Sequence, residues 1–549
     1  MLMMFYTYIF IFAGFLWEYS KGDLIVNTKY GLMLGKEAET IDLRKPYYSF
    51  LGIPYAKPPI GKLRFKAPEP FDSWLGIFSA TSEGNICIQE NTGSEDCLYI
   101  NVYTPKRNDT SSKLSVMVWI YGGGFLTGSS NYKSFSPDYF LNEDVIFVSL
   151  NYRLGIFGFF STGDEAAYGN WGLKDQILGL KWIQENIENF GGDKNNVTVF
   201  GHSAGSASIS YLLQSPLAAN LFQRAIMQSG TSLNLWGFTR KPRDVAFTLG
   251  SYLQIYTNDS EILTEKLREQ DADTLSMATI AISFMGPLLT NPFGGLMFAP
   301  CEEPNHEGAL FNGKSHENLR TGNFNRVPVI IGFTSQEGLP FYNIFDRIRL
   351  YLLIYDSMPN RMVPIDLNII DTARFINITR DLKTKYFPNT QVVFNNYSLV
   401  QFITDDQFVR PINEAARLMS KWVPTYLYRF SYMNKSKFTN DSDLLGRGVP
   451  HGGELEYLNP LSDNPNQSGL DLLTRQRLVK LWTNFAKTSN PTPCSEPLFE
   501  DLIWKPYSED DQFLDIGRSF NLSSNMEYYS QSWWKVLFNK YGNPPFDTH

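Results

Sequence analysis

Gly201-His202-Ser203-Ala204-Gly205 lies between two segments of opposite character. Val197-Thr198-Val199-Phe200 before it is apolar and β-branched, as in a buried strand, and Ala204 to Leu213 after it reads as a helix. Passing from strand to helix in so few residues requires a sharp turn. A serine at such a turn sits in strained dihedrals and holds its hydroxyl out over the sheet. Gly201 and Gly205 leave room where a side chain would collide with neighbouring backbone. The helix start behind Ser203 adds unpaired N–H groups and partial positive charge. Ser203 is the candidate nucleophile; the alternative is a plain tight turn.

The rest of the chain suits this turn. Leu114 to Tyr121, Val145 to Leu150, Ala225 to Met227 and Val327 to Ile331 are apolar runs, as in strands buried on both faces. Leu173 to Phe190 places Leu173, Ile177, Leu180, Ile183 and Ile187 at helical spacing, and Gly191-Gly192 stops it. Leu470 to Lys487 and Tyr528 to Tyr541 read as further helices. Short β runs, Tyr30 to Gly35 and Tyr48 to Ile53, come first. This order predicts an α/β fold with a large, mostly parallel sheet flanked by helices. A chain of 549 residues invites division, yet no linker, repeat or low-complexity tract interrupts it, so residues 23–549 are expected to form one domain.

A serine hydroxyl needs a base. Where this turn occurs, the chain order is serine, acid, histidine. There are five histidines. His549 ends the chain, His202 shares the strained turn, and His306 and His316 lie in a polar stretch upstream of the acid candidate. His451 remains, in Gly448-Val449-Pro450-His451-Gly452-Gly453-Glu454, after a strand-like Tyr426 to Phe430. Glu337, just past the apolar run Val327 to Ile331, is the candidate acid. Asp405, Asp406, Asp441 and Asp443 are its rivals, most of them expected as solvated loop charges. Gly122-Gly123-Gly124 follows a strand end and could bring backbone N–H groups close to a developing oxyanion, with the Ala204 N–H completing the hole.

The start of the chain points to export. Leu2 to Trp17 is apolar and lacks Lys and Arg, with Glu18, Ser20 and Lys21 beyond it. Residues 1–22 are expected to be a signal peptide and the protein secreted; without a basic leading segment, an uncleaved anchor is the alternative. In an exported chain, Cys87 and Cys97 around a short polar loop read as a disulfide. Whether Cys301 and Cys494 pair stays open. Sequons occur at Asn108, Asn196, Asn258, Asn377, Asn396, Asn434, Asn440, Asn466 and Asn521, with Asn196 doubtful because it opens a buried strand. A net charge of −8 gives no reason to bind nucleic acid. No metal-binding spacing occurs, and no stable membrane insertion or cofactor is expected.

The sequence resembles the carboxylesterase type B family, the carboxylesterases and cholinesterases, and insect esterases in particular, over nearly its whole length. The resemblance is carried by Phe50-Leu51-Gly52-Ile53-Pro54-Tyr55-Ala56, Arg64-Phe65, Ser94 to Val102, Tyr121 to Phe125, Asn151-Tyr152-Arg153, the turn at Ser203, Gln228-Ser229-Gly230 and His451-Gly452. It implies an α/β-hydrolase fold and a Ser203–Glu337–His451 triad. It implies an oxyanion hole of Gly123, Gly124 and Ala204, a Cys87–Cys97 disulfide, and structural ion pairs Arg64–Glu95 and Arg153–Asp175. The implied activity is hydrolysis of small-molecule carboxylic esters through an acyl-enzyme. Three departures matter. His202 stands where most members have Glu, and the loop between Cys87 and Cys97 lacks the Trp with which cholinesterases hold choline. Juvenile hormone esterases usually carry Gln before the serine. Neutral, apolar esters are expected rather than choline esters. A slow-turnover sink for ester toxicants and a non-catalytic adhesion or binding protein are the alternatives; relatives that became the latter lack the serine or the histidine.

Overall fold

The apolar runs become the strands of one twisted sheet in a computed structural model of the chain. The structure describes residues 24–106, 112–289, 294–311, 313–342, 345, 349–388, 390–434, 448–461, 467–508, 512–524 and 531–548. The expected signal peptide lies outside these residues. In chain order the strands are β1 (Ile25–Thr28), β2 (Gly31–Leu34), β3 (Lys36–Glu39), β4 (Pro46–Pro54), β5 (Ile77–Ser79), β6 (Tyr99–Thr104) and β7 (Leu114–Ile120), then β8 (Ile146–Leu150), β9 (Gly192–His202), β10 (Arg224–Gln228), β11 (Val329–Thr334), β12 (Thr425–Phe430), β13 (Phe513–Ile516) and β14 (Phe520–Ser523). Among the described residues, β1, β2 and β5 form a small sheet. The other eleven form a large one in the order β14-β13-β12-β11-β10-β9-β7-β8-β6-β4-β3.

From β8 through to β13 every neighbouring pair is parallel. The edges are antiparallel: β6, β4 and β3 on one side, β14 on the other. Every residue of β8 and β11 is buried, which is why neither shows an alternating pattern. The sequence places a strand at Val327 to Ile331. The actual strand begins after Pro328 and continues to Thr334. Gly332 disguised this extension, and the structure gives the reason for the glycine: a Cβ there would lie 2.2 Å from the ring of Tyr428 on β12.

The helix Trp171–Asn186 buries Leu173, Ile177, Leu180 and Ile183, then tightens into a 3₁₀ turn, Ile187–Phe190, and ends at Gly191 with φ 83°. The helices Leu470–Thr488 and Gln531–Tyr541 match the two C-terminal expectations. No helix among the described residues is long and apolar enough to cross a membrane.

Buried charges fix the segments around the sheet. The Arg153 guanidinium donates to Asp175 at 2.6 and 2.8 Å, and the Arg153 N–H donates to the same carboxylate at 3.0 Å. Arg64 donates to Glu95 at 2.6 and 2.7 Å and caps the carbonyls of Leu267, Arg268 and Gln270. Cys87 and Cys97 are disulfide-bonded, whereas Cys301 and Cys494 are free thiols, the first buried and the second exposed. Burial pushes the Cys301 thiol up to about 12. Asn196 lies within β9, its amide donating to the Ser115 hydroxyl at 2.9 Å.

Arg153 and Asp175 are 3% and 0% exposed, so deleting one partner strands a buried charge. Asp175→Ala is expected to lower unfolding free energy by about 3–5 kcal/mol, whereas an apolar replacement of both partners costs far less. Urea titration of both variants checks this.

Candidate active site

Crowding fixes the turn at Ser203. A Cβ at Gly205 would sit 2.0 Å from the Ile120 carbonyl oxygen, and one at Gly201 2.5 Å from the same atom. The end of β7 therefore lies directly against the turn. Ser203 has φ 57° and ψ −123°, a strained combination for a residue with a side chain. Its N–H donates to the Gln228 carbonyl at 2.8 Å, and its carbonyl accepts from the Ala207 N–H at 2.9 Å. The helix Ala204–Gln214 starts at once, and Ser203 caps it without using its side chain. The hydroxyl is thus not consumed by the helix terminus.

Glu337 follows β11 and is fully buried. One carboxylate oxygen accepts from the Ser229 hydroxyl at 2.6 Å and from the Thr334 N–H at 2.8 Å; the other meets His451 Nδ1 at 2.6 Å. These donors offset the cost of burying the charge. The two loops are joined independently: the Gln336 N–H donates to the Val449 carbonyl at 2.9 Å, and the Val449 N–H to the Ser335 hydroxyl at 2.9 Å. Backbone contacts therefore carry His451 to Glu337, and the side-chain bond fixes its ring.

The His451 ring packs on His202 with centroids 4.4 Å apart and on Phe408 at 4.8 Å. His451 thus lies beside the residue that precedes Ser203. Burial, with a smaller contribution from His451, holds His202 well below the ordinary histidine range, so its ring is neutral. Glu454 is fully buried. Its carboxyl is pushed up to about 7, first by burial and then by the charge of Glu337. Gln228 donates to it at 3.3 Å and accepts from the Trp482 indole at 3.2 Å.

The glycine run after β7 has its own geometry. Gly123 has φ 114° and Gly124 φ 61°, values that favour glycine. The Gly123 carbonyl accepts from the Leu126 and Thr127 N–H groups, both at 3.0 Å, so a tight turn presents this run. A Cβ at Gly124 would meet only Leu296 Cδ1, at 3.8 Å, leaving that side open. Ala204 is the first, fully buried residue of the helix behind the serine.

The rival residues are engaged elsewhere. Asp405 and Asp406 are buried, not solvated loop charges. They lie in a π-helical turn, Thr404–Val409, where turn-like polar residues were misleading. Asp405 accepts from Tyr386 at 2.8 Å and Gln401 at 3.0 Å, and Asp406 from Arg410 at 3.0 Å. Asp441, Asp443 and His549 lie outside the described residues. His306 stacks on Tyr168 at 3.6 Å, and His316 meets Glu414 at 3.2 Å. Ser229, Phe408 and Glu454 also border this site, and no sequence signal marks their contacts. Ser229 lies in Gln228-Ser229-Gly230 and Glu454 three places after His451, but neither position reveals a buried contact.

Glu454 is open to a pH test. Its folded value, about 7, lies above the ordinary 4.5, so the folded protein holds this proton more tightly than the unfolded chain. Its contribution to stability is therefore most favourable at low pH and declines as pH rises from about 4.5 to 7. Relative to Glu454→Gln, which carries no charge, the native protein is expected to lose about 3 kcal/mol across that window. Urea unfolding of both proteins at several pH values measures the difference.

Comparison with known proteins identifies the family and the fold. A sequence model of the carboxylesterase family matches residues 22–534. Carboxylesterase 1D of Rattus norvegicus is 32% identical over 97% of this chain and 96% of its own. Juvenile hormone esterase of Tribolium castaneum is 34% identical over 86% of this chain and 85% of its own. The crystal structure of juvenile hormone esterase from Manduca sexta, with OTFP covalently attached, superposes with a TM-score of 0.83 at 28% identity, covering 94% of this chain and all of that one. With a buried, mostly parallel sheet and a strained strand–serine–helix turn, the chain belongs to the carboxylesterase family and is a carboxylic-ester hydrolase of the α/β-hydrolase fold.

Proposed function

We propose that Ser203, His451 and Glu337 are the catalytic triad, and that the substrates are neutral, apolar carboxylic esters. The observation that carries this reading is the 2.6 Å contact between buried Glu337 and His451 Nδ1, with the imidazole packed beside the nucleophile turn. A carboxylate on Nδ1 fixes the tautomer that leaves Nε2 as the base.

In the first step Ser203 Oγ attacks the ester carbonyl while His451 Nε2 takes the hydroxyl proton. The carbonyl electron pair moves to oxygen, and the oxyanion is held by the N–H groups of Gly123, Gly124 and Ala204. Collapse expels the alcohol, which receives the proton from His451. Water, deprotonated by the same imidazole, then attacks the acyl-enzyme, and the acid leaves as Ser203 recovers its proton. Glu337 stays ionised throughout and stabilises the imidazolium. Residues 1–22 serve as an export signal, and the remainder acts as one secreted domain.

The substrate preference follows from charge. His202 is neutral, and Glu454 is largely protonated below pH 7. The loop from Ile88 to Asp96 holds no tryptophan. Glu337, the acidic group that meets His451, is already matched to that imidazole.

Ser203→Ala and Glu337→Gln are each expected to lower kcat for a short aryl ester by about 10⁴-fold or more, with folding intact. Steady-state kinetics with circular dichroism checks this; undiminished turnover by Ser203→Ala would overturn the mechanism. A 3,3-dimethylbutyl ester, the uncharged isostere of a choline ester, is expected to be hydrolysed at least about tenfold better by kcat/KM than the choline ester itself. Equal or inverted values would overturn the substrate assignment.

A further inference from the structure

The loop closed by Cys87 and Cys97 is fastened to the oxyanion turn by one side chain. Gln89 Nε2 donates to the Gly128 carbonyl at 2.8 Å and to the Cys87 carbonyl at 3.0 Å, while Gln89 Oε1 accepts from the Gly128 N–H at 2.7 Å. A single amide thus grips both polar groups of Gly128. Gln89 itself is fixed by paired backbone bonds with Thr92, each 3.0 Å.

The grip matters because the oxyanion turn cannot fix itself. Gly122-Gly123-Gly124 has no side chains, and two of its residues have positive φ. What limits Gly123 is Thr127: its N–H and hydroxyl bind the Gly123 carbonyl at 3.0 and 3.3 Å, and a Cβ at Gly123 would lie 2.2 Å from the Thr127 carbonyl oxygen. Thr127 is held in turn by the next residue, Gly128, whose polar groups belong to Gln89. An oxyanion donor displaced by less than an ångström loses most of its effect in the transition state.

We infer that Gln89 is a positioning residue for the oxyanion hole, so that the disulfide loop belongs to the catalytic framework. The inference rests on the reading of Gly123 and Gly124 as oxyanion donors. Gln89 touches no reacting atom and acts only through Gly128 and Thr127.

Gln89→Met keeps the side-chain length and removes both polar ends. Per titrated active site, its kcat for a short aryl ester is expected to fall on the order of tenfold to a hundredfold, with KM nearly unchanged. Affinity for a trifluoromethyl ketone, which forms a tetrahedral adduct with the serine, is expected to fall by the same factor as kcat/KM, while affinity for the product acid stays constant. Gln89→Glu keeps an acceptor for the Gly128 N–H and is expected to recover part of the loss. A folded Gln89→Met with kcat and ketone affinity within about twofold of native, or with its loss wholly in KM, would overturn the role. If Gln89→Met does not fold, the same readouts on Gln89→Glu decide it, native values overturning the role. Failure of the ketone to inhibit the native protein would instead defeat the oxyanion reading itself.

Discussion

The carbonyl oxygen of Ile120 sets the arrangement of everything else. It lies so close to Gly201 and Gly205 that neither can carry a side chain, and it brings the end of β7 against the nucleophile turn. One consequence is the strained conformation of Ser203, which has no room to relax. Another is that the glycine run after β7 must emerge next to the serine. The turn at Ser203 and the glycine run are therefore neighbours because their two strands pair, Ile120 opposite Gly201, in the middle of the sheet. Glu337 and His451 arrive from strands further along the same parallel series, through the loops after β11 and β12.

The electrostatics of the site follow from how its charges are buried. Glu337 lies among three donors, and after burial it is the next cause that pushes the Glu454 carboxyl up to about 7. His202 contributes an aromatic face without a charge. On the proposed triad, the carboxyl of Glu337 is the group that faces the imidazolium. Under the proposed substrate preference, a cation would have to compete with His451 for the same carboxylate.

Much of this was legible in the residues, for identifiable reasons. Central strands announce themselves because both faces are buried, and the turn at Ser203 because only glycine fits at its flanks. His451 emerged because the chain has few histidines. Glu337 was harder: its place after β11 suggested it, but only the long-range bonds to Ser229 and His451 distinguish it from Asp405 and Asp406. Those two read as loop charges because the π-helical turn that buries them leaves no periodic signature. Glu454 and Gln89 were invisible as site residues. Their contacts depend on which loops meet across the sheet, and single-chain patterns do not encode that. The pairing of the cysteines was half legible: proximity marked Cys87 and Cys97, while the free state of Cys301 depends on tertiary placement.

The hydrogen bond between Glu337 and His451 joins residues 114 positions apart, and Ser203 lies further upstream still. Contacts of that span form late, after the intervening chain has paid its loop-closure entropy. During synthesis the strand bearing the serine leaves the ribosome long before the imidazole does. If the proposed triad acts, a nascent or half-collapsed chain carries an unarmed hydroxyl, and reactivity appears only when the last third of the polypeptide docks. Turnover through that triad would then double as a readout of complete folding.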